Sequence, residues 1–227
     1  MKTFIRVFLI SSLAVLFLAG CSNDKKDSEN ATLSFMAEQN LAKTLVPNAI
    51  TIDTAKILIT RIKFGSGGDS LNFDSDPVVL NLDLTGGVQT VSAGNVPQGT
   101  YDHIKFEIHK PGVNEELSDP DFNTGSAGNQ RYSIIIIGTF NASRFVFKSQ
   151  NTINQTITVD PPLIVDDSVG VANLTLAVNI SNWFSDVFGG NLDPTDASAN
   201  NVAAIENTIR DSFRGFKDND KDGNESN

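Results

Sequence analysis

The sequence predicts a mainly β protein, an antiparallel β-sandwich with one amphipathic helix near its C-terminus. Three observations predict this class. From Ala31 to Ile180, apolar and polar residues alternate with a period of two in short segments rich in β-branched residues. Gly, Pro and Asn separate these segments at intervals of roughly 8–12 residues, as in a sandwich or a partly closed barrel. No long helical pattern alternates with the segments, which argues against a parallel α/β sheet.

The predicted strands follow one another along the middle of the chain. In one of them Ile104, Phe106 and Ile108 share one face and polar residues occupy the other, so one face is expected to be wet. Asn141-Ala142-Ser143 separates two further segments and predicts a β-hairpin. Pro161-Pro162 is expected to separate the last two strands. The strands are predicted at residues 56–64, 78–84, 101–109, 131–140, 144–148, 153–159 and 171–180.

The period changes near the C-terminus and predicts one amphipathic helix over residues 200–216. Charged and amide side chains occupy the opposite face of that helix, and both signs of charge are present. This helix is expected to pack against the sandwich, with Trp183-Phe184 filling the core just before it. The apolar residues recur at spacings of three and four: Val202, Ile205, Ile209, Phe213 and Phe216.

The N-terminus carries the features of a secretory signal. Lys2 and Arg6 precede a mostly apolar run of twelve residues, Val7 to Leu18. A membrane span needs about 20 such residues, so the run is typical of a signal-peptide core instead. It ends in Leu18-Ala19-Gly20-Cys21, which resembles the lipobox of bacterial lipoproteins.

The resemblance implies diacylglycerol on the Cys21 thiol, cleavage before Cys21 and acylation of the new amino terminus. Several acyl chains together hold a protein firmly on a membrane. Ser22 resembles the signal that sorts such lipoproteins to the outer membrane, while the displaying leaflet stays open. The alternatives are a plain secretory signal with a free Cys, and a single membrane helix, which the length disfavours.

Composition excludes several classes of function. One Cys in 227 residues forms no internal disulfide and no Cys-rich zinc site. Seventeen basic against 27 acidic residues argue against nucleic acid and anionic membranes as partners. Residues 1–20 contain two basic residues and no acid, so the chain from Cys21 has 15 basic and 27 acidic residues, a net charge of −12. We therefore expect lipid, and not surface charge, to attach the protein to its membrane.

Together these features divide the chain into five parts. Residues 1–20 form the signal peptide and residues 21–30, which are polar and lack periodicity, form a flexible tether. Residues 31–180 form the sandwich, and residues 181–216 form the helical extension. Residues 217–227 are an acidic tail.

One turn and the strand after it carry a family resemblance. The segment from Val96 to Phe106, with Pro97, Gly99 and Tyr101, resembles a turn and strand of transthyretin-like sandwich domains in bacterial lipoproteins. Residues 179–184, 209–213 and 216–223 are similar to the tail of uncharacterised envelope lipoproteins of that kind. The resemblance implies a transthyretin-like or immunoglobulin-like sandwich, and it implies no catalytic activity.

The acidic tail contains a candidate calcium loop. Asp218, Asp220 and Asp222 occupy positions 1, 3 and 5 of such a loop and Gly223 occupies position 6, where oxygens alternate toward a hard cation and Gly permits a sharp turn. The bidentate acid of position 12 would lie beyond Asn227, so the predicted site is weak unless other loops supply oxygens. The alternative is a solvated acidic terminus.

The two His do not predict a shared metal site. His103 and His109 are six residues apart on one strand, about 20 Å along an extended chain. They are expected to face solvent and not to bind one metal together.

Catalytic motifs are missing from the sequence, which has no G-x-S-x-G elbow, no phosphate-binding loop and no dinucleotide fingerprint. The best cluster of carboxylates lies in residues 111–130, the longest segment without a strand pattern. A hydrolase that uses two carboxylates would draw on this cluster. The acids are Glu115, Glu116, Asp119 and Asp121.

We therefore expect a membrane-anchored envelope lipoprotein that is not an enzyme. Its role would be to bind glycan or protein, or to support a structure, at the cell surface or in the periplasm. A carboxylate-dependent hydrolase of envelope or extracellular polysaccharide is one alternative, and a calcium-dependent binding module is a second.

Overall fold

The computed structural model describes residues 29–38, 50–67, 69–72, 77–166, 168, 170–186 and 188–226. The predicted signal peptide, the lipobox-like segment with Cys21 and most of the predicted tether lie outside the described residues. Among the described residues, no helix has the length and apolar character to cross a membrane. These residues form eleven strands and one α-helix: β1 Ala31–Glu38, β2 Ile50–Ser66, β3 Asp69–Asn72, β4 Val78–Asn81, β5 Gln89–Gly94, β6 Gly99–Ile108, β7 Ile134–Phe140, β8 Ser143–Ser149, β9 Ile153–Val165, β10 Ala172–Asn179, α1 Ala199–Arg210 and β11 Phe213–Lys217.

The strands form one mixed sheet in the order β5-β1-β10-β11-β9-β6-β2-β7-β8, with β3 and β4 paired to β2. The mainly β class is confirmed, but the prediction of a wholly antiparallel sheet is wrong. β1 is parallel to β10, and β11 is parallel to β9. Parallel neighbours need a long crossover, and here the crossovers run through most of the sheet or through α1. Alternation within a strand does not reveal such connections.

The sheet curls so that its two halves cover a common core. Phe35 of β1 and Phe106 of β6 are separated by three strands in the sheet order, yet their ring centroids are 6.4 Å apart. Phe106 also contacts Phe213 of β11 at 5.4 Å. Edge-to-face pairs of this kind stabilise a core beyond the area they bury.

The long strand β2 changes its partner along its length. Its residues 50–57 pair with β7, and its residues 59–65 pair with β6. The partner changes at Leu58, and within the pairing to β6 the register shifts between Thr60 and Lys63, where Arg61 has a φ of 52°. A bulge bends a strand, so β2 carries the sheet around the core.

The hairpin of β7 and β8 has the predicted turn. Asn141 and Ala142 have φ values of 51° and 62°, the left-handed pair of a type I′ turn. By contrast, Pro161 and Pro162 lie inside β9 and do not separate two strands. In the pairing of β9 with β6, Thr158 faces His103 and the next pair is Leu163 with Tyr101. The prolines lie in the unpaired stretch between them, where no ladder hydrogen bond to β6 is required.

The C-terminal helix is shorter than predicted. Its apolar face buries Ile205 and Ile209, but the helix ends at Arg210. Phe213 and Phe216 lie in β11, which runs between β10 and β9 and completes the sheet. Trp183 and Phe184 are buried as predicted, and the Trp183 indole N–H donates to Ser212 Oγ at 2.9 Å.

Candidate metal-binding loop

The chain turns back after β11 and brings three aspartates together. A carboxylate oxygen of each of Asp218, Asp220 and Asp222 lies within 4.8 Å of the other two. Asp218 is fully buried, whereas Asp220 and Asp222 are exposed. The structure therefore places the three predicted metal ligands at one point.

Backbone groups fix the turn around the Asp218 carboxylate. The N–H of Asp222 donates to Asp218 Oδ1 at 3.1 Å, and the N–H of Gly223 donates to Asp218 Oδ2 at 3.3 Å. Gly223 has a φ of 84°. That left-handed conformation favours glycine, so the residue at the sixth loop position is required by the turn.

Buried polar side chains of the sheet hold the loop from below. The Thr175 hydroxyl donates to Asp218 Oδ2 at 2.8 Å, and Asn173 Nδ2 donates to the Asp218 carbonyl at 2.7 Å. The Asn173 side-chain oxygen accepts from the hydroxyls of Thr32 and Ser34 at 2.7 and 2.8 Å. The segment after β11 thus covers the outer face of β1 and β10. It is not a freely solvated tail.

The donor set suits a hard cation. Calcium takes six to eight oxygen ligands, and carboxylates are its preferred protein ligands. Three carboxylates within 4.8 Å repel one another, and a divalent cation would relieve that repulsion. Asp218, Asp220 and Asp222 would hold the ion, and Asp218 is already oriented by its hydrogen bonds.

The acids proposed for a hydrolase are engaged with a lysine. Lys56 Nζ lies 2.6 Å from Asp119 Oδ2 and 2.8 Å from Asp121 Oδ2. Hydrogen bonds to Asp119 and then to Asp121 raise the pKa of Lys56. Burial alone would raise the pKa of Asp119, but its bonds to Lys56 and to the Asp121 N–H lower it overall. This arrangement keeps the carboxylate of Asp119 ionised.

The other two acids of the cluster lie apart from that ion pair. Glu115 Oε2 accepts the Gly112 N–H at 2.7 Å, and Glu116 is exposed. Phe122 anchors the segment, because it is buried with Leu58 and Ile135 in a small separate cluster. The 111–130 segment is thus fixed by structural contacts.

His103 does not face solvent, contrary to the prediction. Its side chain is only 15% exposed, and its Nδ1 lies 2.5 Å from Asp102 Oδ1. The ring covers Gly65, where an added Cβ would lie 2.0 Å from His103 Nε2. The pKa of Asp102 is lowered, mainly by its hydrogen bond with His103 and to a smaller extent by the hydrogen bond that the Gly67 N–H donates to it. This contact could not be predicted from the sequence, because Gly65 lies on the neighbouring strand β2.

The fold and the loop define a mainly β protein with an aspartate-rich C-terminal turn packed on the sheet. No family model matches the sequence, and no curated protein matches it. Among solved structures, MbnP from Methylosinus trichosporium is similar, with a TM-score of 0.47 and 10% identity over 82% of this chain and 97% of that chain. So low a similarity assigns neither a family nor an activity to this chain.

Proposed function

We propose that the protein is a membrane-anchored lipoprotein of the bacterial cell envelope and acts as a non-enzymatic binding or structural module. The lipobox Leu18-Ala19-Gly20-Cys21 carries this proposal, because a thiol at that position receives lipid. The ligand is a glycan or a protein, and the anchor sorts to the outer membrane. The ion pairs of Lys56 with Asp119 and Asp121 favour this role over a carboxylate-dependent hydrolase.

Labelling with radioactive palmitate tests the anchor. We expect the full chain to take up label and to sediment with membranes. Cys21→Ala should abolish both, whereas Ser28→Ala in the tether, the matched control, should change neither. Membrane attachment of Cys21→Ala at the level of the parent chain would refute the proposal.

Protease treatment of intact cells then separates the two envelope faces. Degradation of the protein would place it on the cell surface, where it would bind external glycan or protein. Protection until the outer membrane is permeabilised would place it in the periplasm and favour a supporting role.

A calcium site at Asp218, Asp220 and Asp222 is the second candidate, favoured by the convergence of three carboxylates within 4.8 Å. Calcium at a hundredfold excess over its Kd would add about 2.7 kcal/mol to stability. We expect Asp220→Asn combined with Asp222→Asn to abolish the calcium-dependent rise in Tm. Asp53→Asn, which alters an exposed acid of β2, should retain the rise. A parent protein whose Tm ignores millimolar calcium would end this candidate.

We also propose that the two halves of the sheet are the layers of a transthyretin-like or immunoglobulin-like sandwich. The contact of Phe35 with Phe106 supports this arrangement, because it joins strands that are distant in the sheet order. Packed layers interdigitate their inner side chains in this way.

A further inference from the structure

The most exposed large apolar side chain among the described residues is Phe188, which is 94% accessible to solvent. Other exposed apolar residues, such as Val146 and Val171, keep about half of their surface covered. Phe188 lies between Asp186 and Gly190, in the loop that connects the 3-10 turn Ile180–Asn182 to α1. Single exposed apolar residues are common, so exposure alone does not make Phe188 a binding residue. The hydrogen bonds and charges of its loop bear on that question.

Hydrogen bonds to Asp186 hold the backbone of Phe188 and Gly190. Asp186 Oδ1 accepts the N–H groups of Phe188 at 2.8 Å and of Gly190 at 2.7 Å. The Asp186 N–H donates to the Gly190 carbonyl at 2.9 Å, and an isolated bridge joins Ser185 to Asn191 below the loop. A side chain presented by a closed loop loses little backbone entropy on binding, which favours a contact.

The sequence on both sides of the loop is acidic, which restricts the partner. From Ser149 to Ile209 the sequence contains seven acidic residues and no Lys, Arg or His. Asp186, Asp193 and Asp196 lie in or just after the loop. An aromatic side chain among carboxylates fits an apolar surface flanked by cations, and it disfavours anionic lipid.

The outer face of β8 has that chemistry. Arg144, Val146 and Lys148 alternate along it and are exposed, and Val146 is 50% accessible. β8 ends the sheet, with β7 as its partner among the described strands. The Lys148 ammonium lies 4.3 Å from the centroid of the Tyr132 ring and is still exposed, so an apolar side chain between two cations is present on the strand that ends the described sheet.

The loop lies close to β8 in the structure. Phe184, four residues before Phe188, packs against Phe145 and Phe147 of β8 with ring centroids 5.3 and 6.1 Å away. Two complementary surfaces that lie near each other on one chain can meet twice across a two-fold axis.

We infer that Phe188 docks onto the Arg144–Val146–Lys148 face of a second copy of this chain, and that the exchange is reciprocal in a symmetric dimer. The acidic loop then faces the two cations of the partner's strand. Direct antiparallel pairing of two β8 edges about Val146 is disfavoured, because Arg144 of each copy would oppose Lys148 of the other.

Disulfide trapping in membranes of cells that express the full chain tests the contact. Two differently tagged copies are expressed together, one with Phe188→Cys and the other with Val146→Cys. Oxidation should yield a covalent dimer that carries both tags. Replacing Phe188→Cys by Val171→Cys, a half-exposed position elsewhere, should yield none.

Charge reversal supplies a second, independent measurement. Arg144→Glu with Lys148→Glu in the Val146→Cys copy should lower the yield of mixed dimer about tenfold, the loss typical of a contact at the centre of an interface. Lys63→Glu with Lys105→Glu reverses two charges on other strands and should leave the yield unchanged. Thermal unfolding of each variant verifies its fold. A missing mixed dimer, or a yield that both reversals lower equally, would overturn the inference.

Discussion

At the scale of single residues, Asp218 shows how a motif acquires structural meaning. The spacing of the three aspartates was visible in the sequence, and the structure brings their carboxylates together. What spacing did not reveal is the burial of Asp218, because its supports Thr175 and Asn173 lie more than 40 residues away on β10. The same reason hid the contact of His103 with Gly65.

We expect Asp218→Ala to destabilise the fold even in the presence of a chelator. The change leaves the Thr175 hydroxyl and two loop N–H groups without their acceptor, at a cost of about 1–3 kcal/mol. Urea denaturation measures the loss. Asp220→Ala, which alters an exposed neighbour, should stay within about 0.5 kcal/mol of the parent chain. Equal stabilities of the two variants would contradict the structural role of Asp218.

The ion pair of Lys56 predicts a dependence of stability on pH. The pKa of Asp119 is lowered from 3.8, so its contribution is present above that value and is lost as pH falls through the lower folded pKa. The pKa of Lys56 is raised from 10.5, so its contribution is present below that value and is lost as pH rises through the higher folded pKa. The pair therefore acts fully between these two pH values.

Lys56→Met should accordingly lower stability by roughly 1 kcal/mol near neutral pH, and the difference from the parent chain should shrink at either extreme. Denaturation at pH 3, 7 and 11 measures this difference. Arg61→Met, which removes a more exposed partner of Glu107, serves as the control and should have a smaller effect at neutral pH. A stability difference between Lys56→Met and the parent chain that stays constant with pH would contradict a stabilising ion pair of Lys56 with Asp119.

At the scale of elements, the strands with clear alternation and the helix α1 were predictable, whereas strand β11 was not. The hairpin followed from three residues, because turn chemistry is local. Phe213 and Phe216 continue the helical spacing of α1, yet they are buried on β11. Residues three apart on a strand lie on opposite faces, and both phenylalanines are buried, so their spacing also fits a helix. β1 and β10 are also buried along nearly their whole length, so alternation is weak there.

The insertion of β11 predicts a steric requirement at Gly215. A Cβ added there would lie 3.1 Å from Ile157 Cγ2 and 3.2 Å from Leu176 Cδ2, so both neighbours must shift. We expect Gly215→Val to lower the free energy of unfolding by about 1–3 kcal/mol, as overpacking does. Gly99→Ala, whose Cβ would meet ordinary contacts at 3.7 Å, is the control for thermal unfolding. A Gly215→Val protein as stable as the parent chain would show that β11 does not lie between β10 and β9.

At the scale of the whole molecule, composition and alternation predicted the mainly β class, but the order of the strands depends on contacts distant in sequence. The parallel pair of β1 and β10 joins residues about 140 positions apart, such as Leu33 and Leu174. No local pattern encodes such a pairing. Joining strands so distant in sequence requires closing a long loop, and the entropy of that closure is offset only by contacts made in the folded sheet.

That shared core predicts an energetic coupling between the two halves of the sheet. Phe35 and Phe106 lie on different halves with their rings in edge-to-face contact, so Phe35→Leu and Phe106→Leu should interact in a double-mutant cycle. We expect a coupling of about 0.5–1.5 kcal/mol, measured by denaturant unfolding. Phe147 packs against Phe184 instead, so the cycle of Phe35→Leu with Phe147→Leu should be additive within about 0.5 kcal/mol. If Phe35 and Phe106 are in contact, the first substitution already removes that contact, so the second cannot remove it again and the two effects are not additive. Additivity in both cycles would therefore mean that the two halves of the sheet do not pack as layers.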